Sequence, residues 1–195
     1  MAVSAEQIKE LREKTGAGIS DIKKAIEESG GDLEKALTAI ERKLGSSANK
    51  RMGRETKAGL VEAYIHSNSK VGSMVELFCE TDFVALNSGF RELAHDLALH
   101  IAAMNPRYLS SEDVPSEVWE EEKRHLTEEF KNLNKPPQIL KEIIEGKLKS
   151  HFKNMVLTEQ SFVKDQDKTV GGFLKEAMGK FGENIKIGKF VRFEI

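Results

Sequence analysis

The sequence predicts an α+β fold, in which a small three-helix head precedes helices packed on a three-stranded antiparallel sheet. Short segments with apolar residues at helical spacing, separated by glycine turns, predict the head over residues 1–45. Two β-favouring runs around the polar cluster 67–70 predict a hairpin, and the alternating run 185–195 predicts a third strand. We therefore divide the chain into the head, a linker over 46–57 and a core over 58–195.

The composition favours a soluble, helix-rich protein with no direct nucleic-acid partner. The 195 residues are 39% hydrophobic and 32% charged, with a net charge of −2 that gives no long-range attraction to nucleic acid. No apolar run is long enough to cross a membrane, and the N-terminus lacks the pattern of a signal peptide. The single cysteine, Cys79, excludes an internal disulfide, so we expect a cytoplasmic chain.

The head contains clear start and stop signals for its helices. Ser4 and Gln7 form the pattern of a capping box, and the glycines of the segment 15–18 end the first helix. Gly30 and Gly31 end the second helix, and Asp32 is placed to cap the third. The apolar stripe of that third helix stops at Leu44, after which the small, polar and basic residues of 46–57 predict a solvated tether.

The chain carries no recognisable nucleotide site of its own. Gly16-Ala17-Gly18 is not a dinucleotide fingerprint, because Asp21 occupies the third glycine position and no strand precedes the segment. The spacing from Gly172 to Gly179-Lys180 does not match a phosphate-binding loop. No nucleophile lies in a pattern with a base, so we predict no cofactor, no metal and no covalent chemistry.

The core begins with the hairpin and a long helix. Cys79, near the end of the second strand, is expected to be a small buried side chain, and the periodic helix starts near Asn87. His95 and His100 lie five residues apart on that helix, whereas a zinc pair prefers a spacing of four. We therefore interpret both histidines as structural or solvated.

The second half of the core is predicted to contain three more helices before the final strand. Ser116 is expected to cap a charged helix that runs to about Asn132 and carries Trp119 in the core. Pro136-Pro137 opens the next helix, and Thr169 starts the last one.

One stretch combines an acid with a large aromatic side chain where a strand gives way to a helix. Glu80, Thr81, Asp82, Phe83 and Val84 follow the apolar second strand directly. Phe83 could fold back beneath the following helix, since apolar residues are mostly interior. Alternatively, Asp82 and Phe83 form a presented pair, in which the acid competes for positive charge and the ring enters a partner's pocket.

Two motifs resemble signatures of the elongation factor Ts family, the nucleotide-exchange factors of elongation factor Tu. One is the stretch from Glu80 to Val84; the other is Leu11-Arg12-Glu13-Lys14-Thr15-Gly16-Ala17-Gly18, followed by Asp21 and Lys23-Lys24-Ala25. The resemblance implies that the head is a three-helix bundle of the ubiquitin-associated type. It also implies that Arg12, Ile19 and Ser20 contact the nucleotide domain of elongation factor Tu, although the family often has two methionines in place of Ile19-Ser20.

The resemblance further implies how the stretch from Glu80 to Val84, which we call the corner, acts. Asp82 and Phe83 would wedge between helices near the partner's Mg²⁺ site, with Thr81 and Val84 completing the contact. The partner would bind in its GDP-bound and nucleotide-free forms. Phe78 and Leu86 differ from the residues that the family commonly carries beside this motif.

A single copy of the hairpin-and-helix pattern resembles the short form of the family, whose members are implied to dimerise through their sheets. Some members link the dimer by a cysteine where this chain has Val191, so we expect a non-covalent homodimer in a 2:2 complex. His66 aligns with a partner-contacting histidine of longer members. A different hypothesis is that the head alone is a binding module for ubiquitin-like or RNA partners.

Overall fold

The computed structural model describes residues 3–131, 133 and 135–195, and it has the mixed helix and sheet architecture expected from the sequence. In chain order the elements are α1 (Ala5–Thr15), α2 (Ile19–Glu28), α3 (Leu33–Arg51), β1 (Ala58–Ile65), β2 (Val71–Cys79), α4 (Asp82–Ala85), α5 (Ser88–Met104), α6 (Ser116–Phe130), α7 (Pro137–Lys153), β3 (Ser161–Phe162), β4 (Asp165–Thr169), α8 (Val170–Phe181) and β5 (Lys186–Glu194).

Helices α1 and α3 begin at the predicted caps, and α1 and α2 end at the predicted glycines. The Ser4 side chain accepts a hydrogen bond from the Gln7 backbone, and Asp32 accepts from the first turn of α3. Gly16 ends α1 with a φ of 67°, and a β-carbon there would lie 2.5 Å from Lys180 Cγ of α8. The three helices share a small core of apolar side chains, whose buried members are Leu11, Ala17, Ile22, Ala25, Ile26, Ala36 and Ile40.

Helix α3 is longer than the sequence suggested. It continues to Arg51, so the first half of the predicted linker is helical, and the prediction of a tether over those residues is wrong. The reason is tertiary packing, which outweighs the polar composition of the segment. Ala48 is fully buried in the main core, and α3 approaches α8 so closely that a β-carbon at Gly179 would lie 2.8 Å from Leu44 Cβ.

The three-stranded antiparallel sheet has the order β1-β2-β5, which confirms the predicted hairpin and the predicted third strand. Val75, Leu77 and Cys79 of the central strand point to one face and are buried in the main core with α5 and α8. Because side chains alternate along a strand, the other face carries a second apolar set, which no described residue of this chain covers. Its exposed members are Val61, Ile65, Met74, Phe78, Val191 and Phe193.

Helices α6 and α7 pack against each other with a small core of their own. Trp119 is only half-buried and stacks on Phe152, with ring centroids 4.6 Å apart. Ser116 is the first residue of α6 and not its cap; Pro115 occupies the cap position without a side-chain hydrogen bond. The expected end of this helix at Asn132 lies outside the described residues.

His100 is the centre of a buried polar network. Its Nε2 donates to Gln160 Oε1 at 3.0 Å, and its Nδ1 accepts from the backbone N–H of Val163 at 3.2 Å. Both ring nitrogens are therefore satisfied in the neutral form, which agrees with the predicted structural role. The small β3–β4 ladder beside this network was not predicted, since its strands are short and polar.

Within the described ranges, the chain has no helix that is both long and apolar enough to span a bilayer.

Candidate functional site

The corner after β2 is a single helical turn rather than an irregular loop. The backbone N–H of Ala85 donates to the Thr81 carbonyl at 3.2 Å, and that of Leu86 donates to the Asp82 carbonyl at 3.0 Å. Asn87 then caps α5 through its side chain. The corner is therefore held at both ends by regular elements, which fixes the directions in which its side chains point.

The turn has one buried face and one exposed face. Val84 and Ala85 are 4% and 8% exposed and belong to the main core. Phe83 is 82% exposed and Leu86, three residues later, is 81% exposed. Asp82 is also exposed. Of the two interpretations of this stretch, the presented acid–aromatic pair therefore agrees with the structure, and the ring folded beneath its own helix does not.

Val84 differs from the other predicted contact residues. Its side chain lies in the core, so it is placed to anchor the turn and does not reach the surface where a partner would bind. The physical reason is helical geometry, since consecutive side chains point in different directions around the turn. Burying Val84 is what directs its neighbour Phe83 outward.

The side-chain carboxylate of a glutamate near the C-terminus accepts hydrogen bonds from the backbone of the corner. Glu183, in the loop between α8 and β5, accepts hydrogen bonds at Oε2 from the backbone N–H groups of Glu80 and Thr81, at 3.0 and 3.1 Å. The Thr81 hydroxyl donates to Glu183 Oε1 at 2.6 Å. Thr81 therefore does not cap α4 with its side chain, although it occupies the cap position.

The next residue, Asn184, fixes this loop against the end of α3. Its Nδ2 donates to the carbonyls of Met52 and Arg54 at 3.2 and 2.6 Å, and its backbone N–H donates to Glu80 Oε1 at 2.6 Å. Asn184 is fully buried. The corner, the loop before β5 and the segment after α3 are thus linked through one set of hydrogen bonds.

The electrostatic character of the corner is acidic. Glu80, Asp82 and Glu183 all contribute carboxylates, and Arg54 Nη1 lies 3.5 Å from Glu80 Oε1. Burial raises the pKa of the Cys79 thiol above its ordinary value, and the negative charges of Glu183 and Asp82 add to the effect. Cys79 is therefore a protonated, buried side chain, as expected, and offers no nucleophile.

The predicted head residues form a second exposed group. Arg12 lies in the last turn of α1, and Ile19 and Ser20 begin α2 on the other side of the Gly16 turn. All three are exposed, and Ile19 retains 49% of its accessible surface. An exposed isoleucine is a side chain that a partner protein can cover, and these three residues belong to the head and not to the corner.

His66 does not join the corner of its own chain. It follows β1 at the turn of the hairpin, where its backbone N–H donates to the Val71 carbonyl at 2.8 Å and its Nδ1 lies 3.0 Å from the Tyr64 hydroxyl. The corner follows the opposite end of β2. At about 3.3 Å per residue, a strand from Val71 to Cys79 separates the two features by most of the length of the sheet.

The described part of the chain brings no three His, Cys, Asp or Glu side chains together in a geometry that could hold a metal ion.

Comparison with known proteins relates this sequence to translation elongation factors. A model of the family described as Elongation factor TS matches residues 2–195. The elongation factor Ts of Thermodesulfovibrio yellowstonii is 49% identical over 195 residues, which cover 100% of this chain and 97% of the relative. The chain belongs to the elongation factor Ts family. The elongation factor Ts proteins of Fervidobacterium nodosum and Thermosipho melanesiensis, both 47% identical, match 100% and 99% of this chain and 99% and 98% of their own lengths.

Sequence reasoning about this elongation factor Ts family member missed Glu183 and Asn184. Neither residue lies in a motif, and both follow a glycine at the end of a helix, where polar residues are common. Their bonds join residues more than a hundred positions apart, as the pair Glu183 and Glu80 illustrates. Only the packing of β5 against β2 brings the two segments together.

Proposed function

We propose that the exposed corner at Asp82 and Phe83 is the part of this chain that promotes guanine-nucleotide exchange on elongation factor Tu in translation elongation. Members of the elongation factor Ts family are exchange factors, and this chain is one of them. The 82% exposure of the Phe83 ring, on a turn anchored by Val84, carries the proposal. Exposing a phenylalanine to water is unfavourable, so a partner that covers the ring gains apolar binding energy.

The chemistry of the partner explains why such a wedge would release GDP. In nucleotide-binding GTPases a Mg²⁺ ion bridges phosphate oxygens and protein ligands and neutralises their charge. Inserting the Phe83 ring between helices beside that site would displace the metal's ligands, and the Asp82 carboxylate would disfavour anionic groups nearby. The nucleotide would then lose its main counter-charge. The chain supplies binding energy for this step and needs no covalent chemistry of its own.

The head would supply a second contact on the same partner. We propose that the head is a bundle of the ubiquitin-associated type, whose last helix, α3, continues to Arg51 and leads into the exchange core over 58–195. Arg12, Ile19 and Ser20 would then contact the nucleotide domain of elongation factor Tu. Their exposure on both sides of one turn supports this assignment. The partner would be bound in its GDP-bound and nucleotide-free forms.

The uncovered face of the sheet suits a second copy of this chain. Six apolar side chains are exposed on it, and Met74 pairs with Val191 across the ladder, which gives a continuous apolar surface. Burying such a face in a non-covalent homodimer removes it from water. A 2:2 complex would let His66 of one chain approach the partner contacted by the other chain's corner.

Stopped-flow release of labelled GDP from elongation factor Tu tests the role of the corner. Replacing Phe83→Ala removes the exposed ring without disturbing a core contact. Truncating an aromatic interface anchor costs about 2 kcal/mol or more, so stimulated release should fall by at least about thirtyfold at limiting concentrations. GDP and the exchange factor weaken each other's binding to elongation factor Tu by the same factor. GDP should therefore reduce the affinity of Phe83→Ala for elongation factor Tu less than it reduces the affinity of the unmodified chain.

The matched control is Ile139→Ala, which removes an apolar side chain that is 40% exposed on α7. This control should exchange at the unmodified rate. Equal rates of GDP release with Phe83→Ala and with the control would exclude a role of the Phe83 ring in exchange. The membership of the chain in the family would be unaffected.

A further inference from the structure

Three hydrogen bonds converge on the carboxylate of Glu183 from the corner that carries Asp82 and Phe83. Two come from consecutive backbone N–H groups, those of Glu80 and Thr81, and one comes from the Thr81 hydroxyl. Both carboxylate oxygens are used, and hydrogen bonds to an ionised acceptor are stronger than those between neutral groups. This arrangement fixes the chain direction immediately before the exposed turn.

The short length of α4 makes this support important. A helix of four residues has too few internal hydrogen bonds to hold its own orientation. The buried side chains of Val84 and Ala85 hold one end of the turn in the core. The other end has no side-chain cap, because the Thr81 hydroxyl is directed to Glu183 instead of to the first turn.

The loop that carries Glu183 is itself held in place. Gly182 ends α8 in the left-handed region, with a φ of 74°. Asn184 then binds the carbonyls of Met52 and Arg54, and its backbone N–H binds Glu80. Glu183 therefore extends from a fixed support, which a freely moving surface glutamate does not have.

We propose that Glu183 is a positioning residue for nucleotide exchange, which holds the Thr81 end of the corner so that the Phe83 ring enters the partner in one orientation. The inference rests on the proposed function of the corner. It adds a residue from the loop before β5, a hundred positions away in the chain, that does not touch the partner itself. A wedge must be oriented when it binds, because ordering it during binding would cost conformational entropy.

Two substitutions separate the hydrogen bonds from the charge. Glu183→Ala removes all three bonds. Glu183→Gln keeps the shape and can replace them, because its amide oxygen accepts from the two N–H groups and its NH₂ donates to the Thr81 hydroxyl. Loss of several hydrogen bonds to a charged acceptor predicts a fall in kcat of roughly tenfold for the alanine variant. The glutamine variant should retain most of the activity, and KM for the GDP-bound partner should change less than kcat in both.

Amide hydrogen exchange at Glu80 and Thr81 reports the positioning directly. Both amides should be protected in the unmodified chain and in Glu183→Gln, and Glu183→Ala should lose that protection while α5 keeps its own. Thermal unfolding gives the folded fraction of each variant. The amide hydrogen-exchange rates are corrected for that fraction before they are compared. Glu145→Ala, which changes a surface glutamate on α7, is the control and should match the unmodified chain in every measurement.

A double-mutant cycle with Phe83→Ala decides whether Glu183 acts through the ring. If it does, adding Glu183→Ala to Phe83→Ala should cause little further loss of exchange activity. The inference would be overturned if the loss of exchange activity in the double variant equalled the product of the losses in the two single variants. It would also be overturned if Glu183→Ala were as active as the unmodified chain. Failure of the proposed function would differ, since Phe83→Ala alone would then leave GDP release unchanged.

Discussion

Phe83 faces solvent because its neighbour Val84 faces the core. The two side chains follow one another on a single helical turn and point in different directions, and Val84 and Ala85 occupy the buried face of that turn. Residue types alone favoured a buried ring, and the competing interpretation of a presented pair depended on the adjacent acid. The same geometry explains why Val84 supports the corner from inside although it belongs to the motif.

At the same scale, His100 should make stability depend on pH. Burial lowers its pKa below the ordinary value of 6.5, and the neutral ring satisfies both of its nitrogens. The unfolded chain therefore binds more protons than the native one near and below pH 6.5, so the free energy of unfolding should fall as the pH is lowered through that region. The loss follows from protonating Nδ1, which must stop accepting from the Val163 N–H.

Urea unfolding at pH 7.5 and pH 5.5 measures this effect, with His100→Gln as the comparison. The unmodified chain should lose more stability between the two values than the variant, which has no titrating ring. Equal losses would show that His100 is not the source of the pH dependence.

At the scale of elements, the strongest signals in the sequence were turns, caps and alternation. Ser4, Asp32 and Thr169 each begin a helix where expected, and the alternating C-terminal run is the third strand. The end of α3 could not be predicted in this way. The residues after Leu44 have no apolar stripe, and what keeps them helical is the contact of Ala48 with the core, a contact between distant parts of the chain.

Gly45 gives a test of the longer helix. It lies inside α3, and a β-carbon there would meet no atom within 4 Å. Glycine inside a helix costs roughly 0.5–1 kcal/mol relative to alanine, so Gly45→Ala should raise the free energy of unfolding by about that amount. Gly45 directly precedes the predicted tether over 46–57. If the helix ended here instead of continuing to Arg51, position 45 would not lie inside a helix and the gain would not appear.

The matched control is Gly30→Ala, which also meets no atom within 4 Å but replaces a glycine with a φ of 64°. A left-handed conformation costs a non-glycine residue about 1–2 kcal/mol, so this variant should be destabilised by about that amount. Thermal unfolding of the two variants side by side should therefore give shifts of opposite sign.

At the scale of the whole molecule, the head, corner and sheet face form a connected structure. Helix α3 packs on α8, and Asn184 ties the segment after α3 to the loop that holds the corner. The hairpin, the third strand and the main helices could be predicted from sequence, because their patterns lie in neighbouring residues, whereas the sequence left the direction of the Phe83 ring open. The Glu183 and Asn184 bonds were not, since they depend on how β5 returns to the sheet.

The exposed sheet face makes a prediction about mass in solution. The unmodified chain should sediment at twice its mass of 21.8 kDa, and Phe193→Glu should sediment as a monomer, because a carboxylate would be buried in the proposed interface. Ile139→Glu introduces the same charge on α7 and should leave the dimer intact. If the unmodified chain sediments as a monomer and has full exchange activity, the proposed dimer is wrong. The proposed contact of His66 with the partner bound by the other chain is then wrong as well.

If the Phe83 ring weakens the partner's hold on Mg²⁺, its effect on GDP release must depend on whether that metal is present. With Mg²⁺ present, the unmodified chain should accelerate release from elongation factor Tu strongly, and Phe83→Ala should lose most of that acceleration. With Mg²⁺ chelated, the metal no longer holds the nucleotide, so the two rates should converge. A Phe83→Ala variant as fast as the unmodified chain in Mg²⁺ would contradict the account.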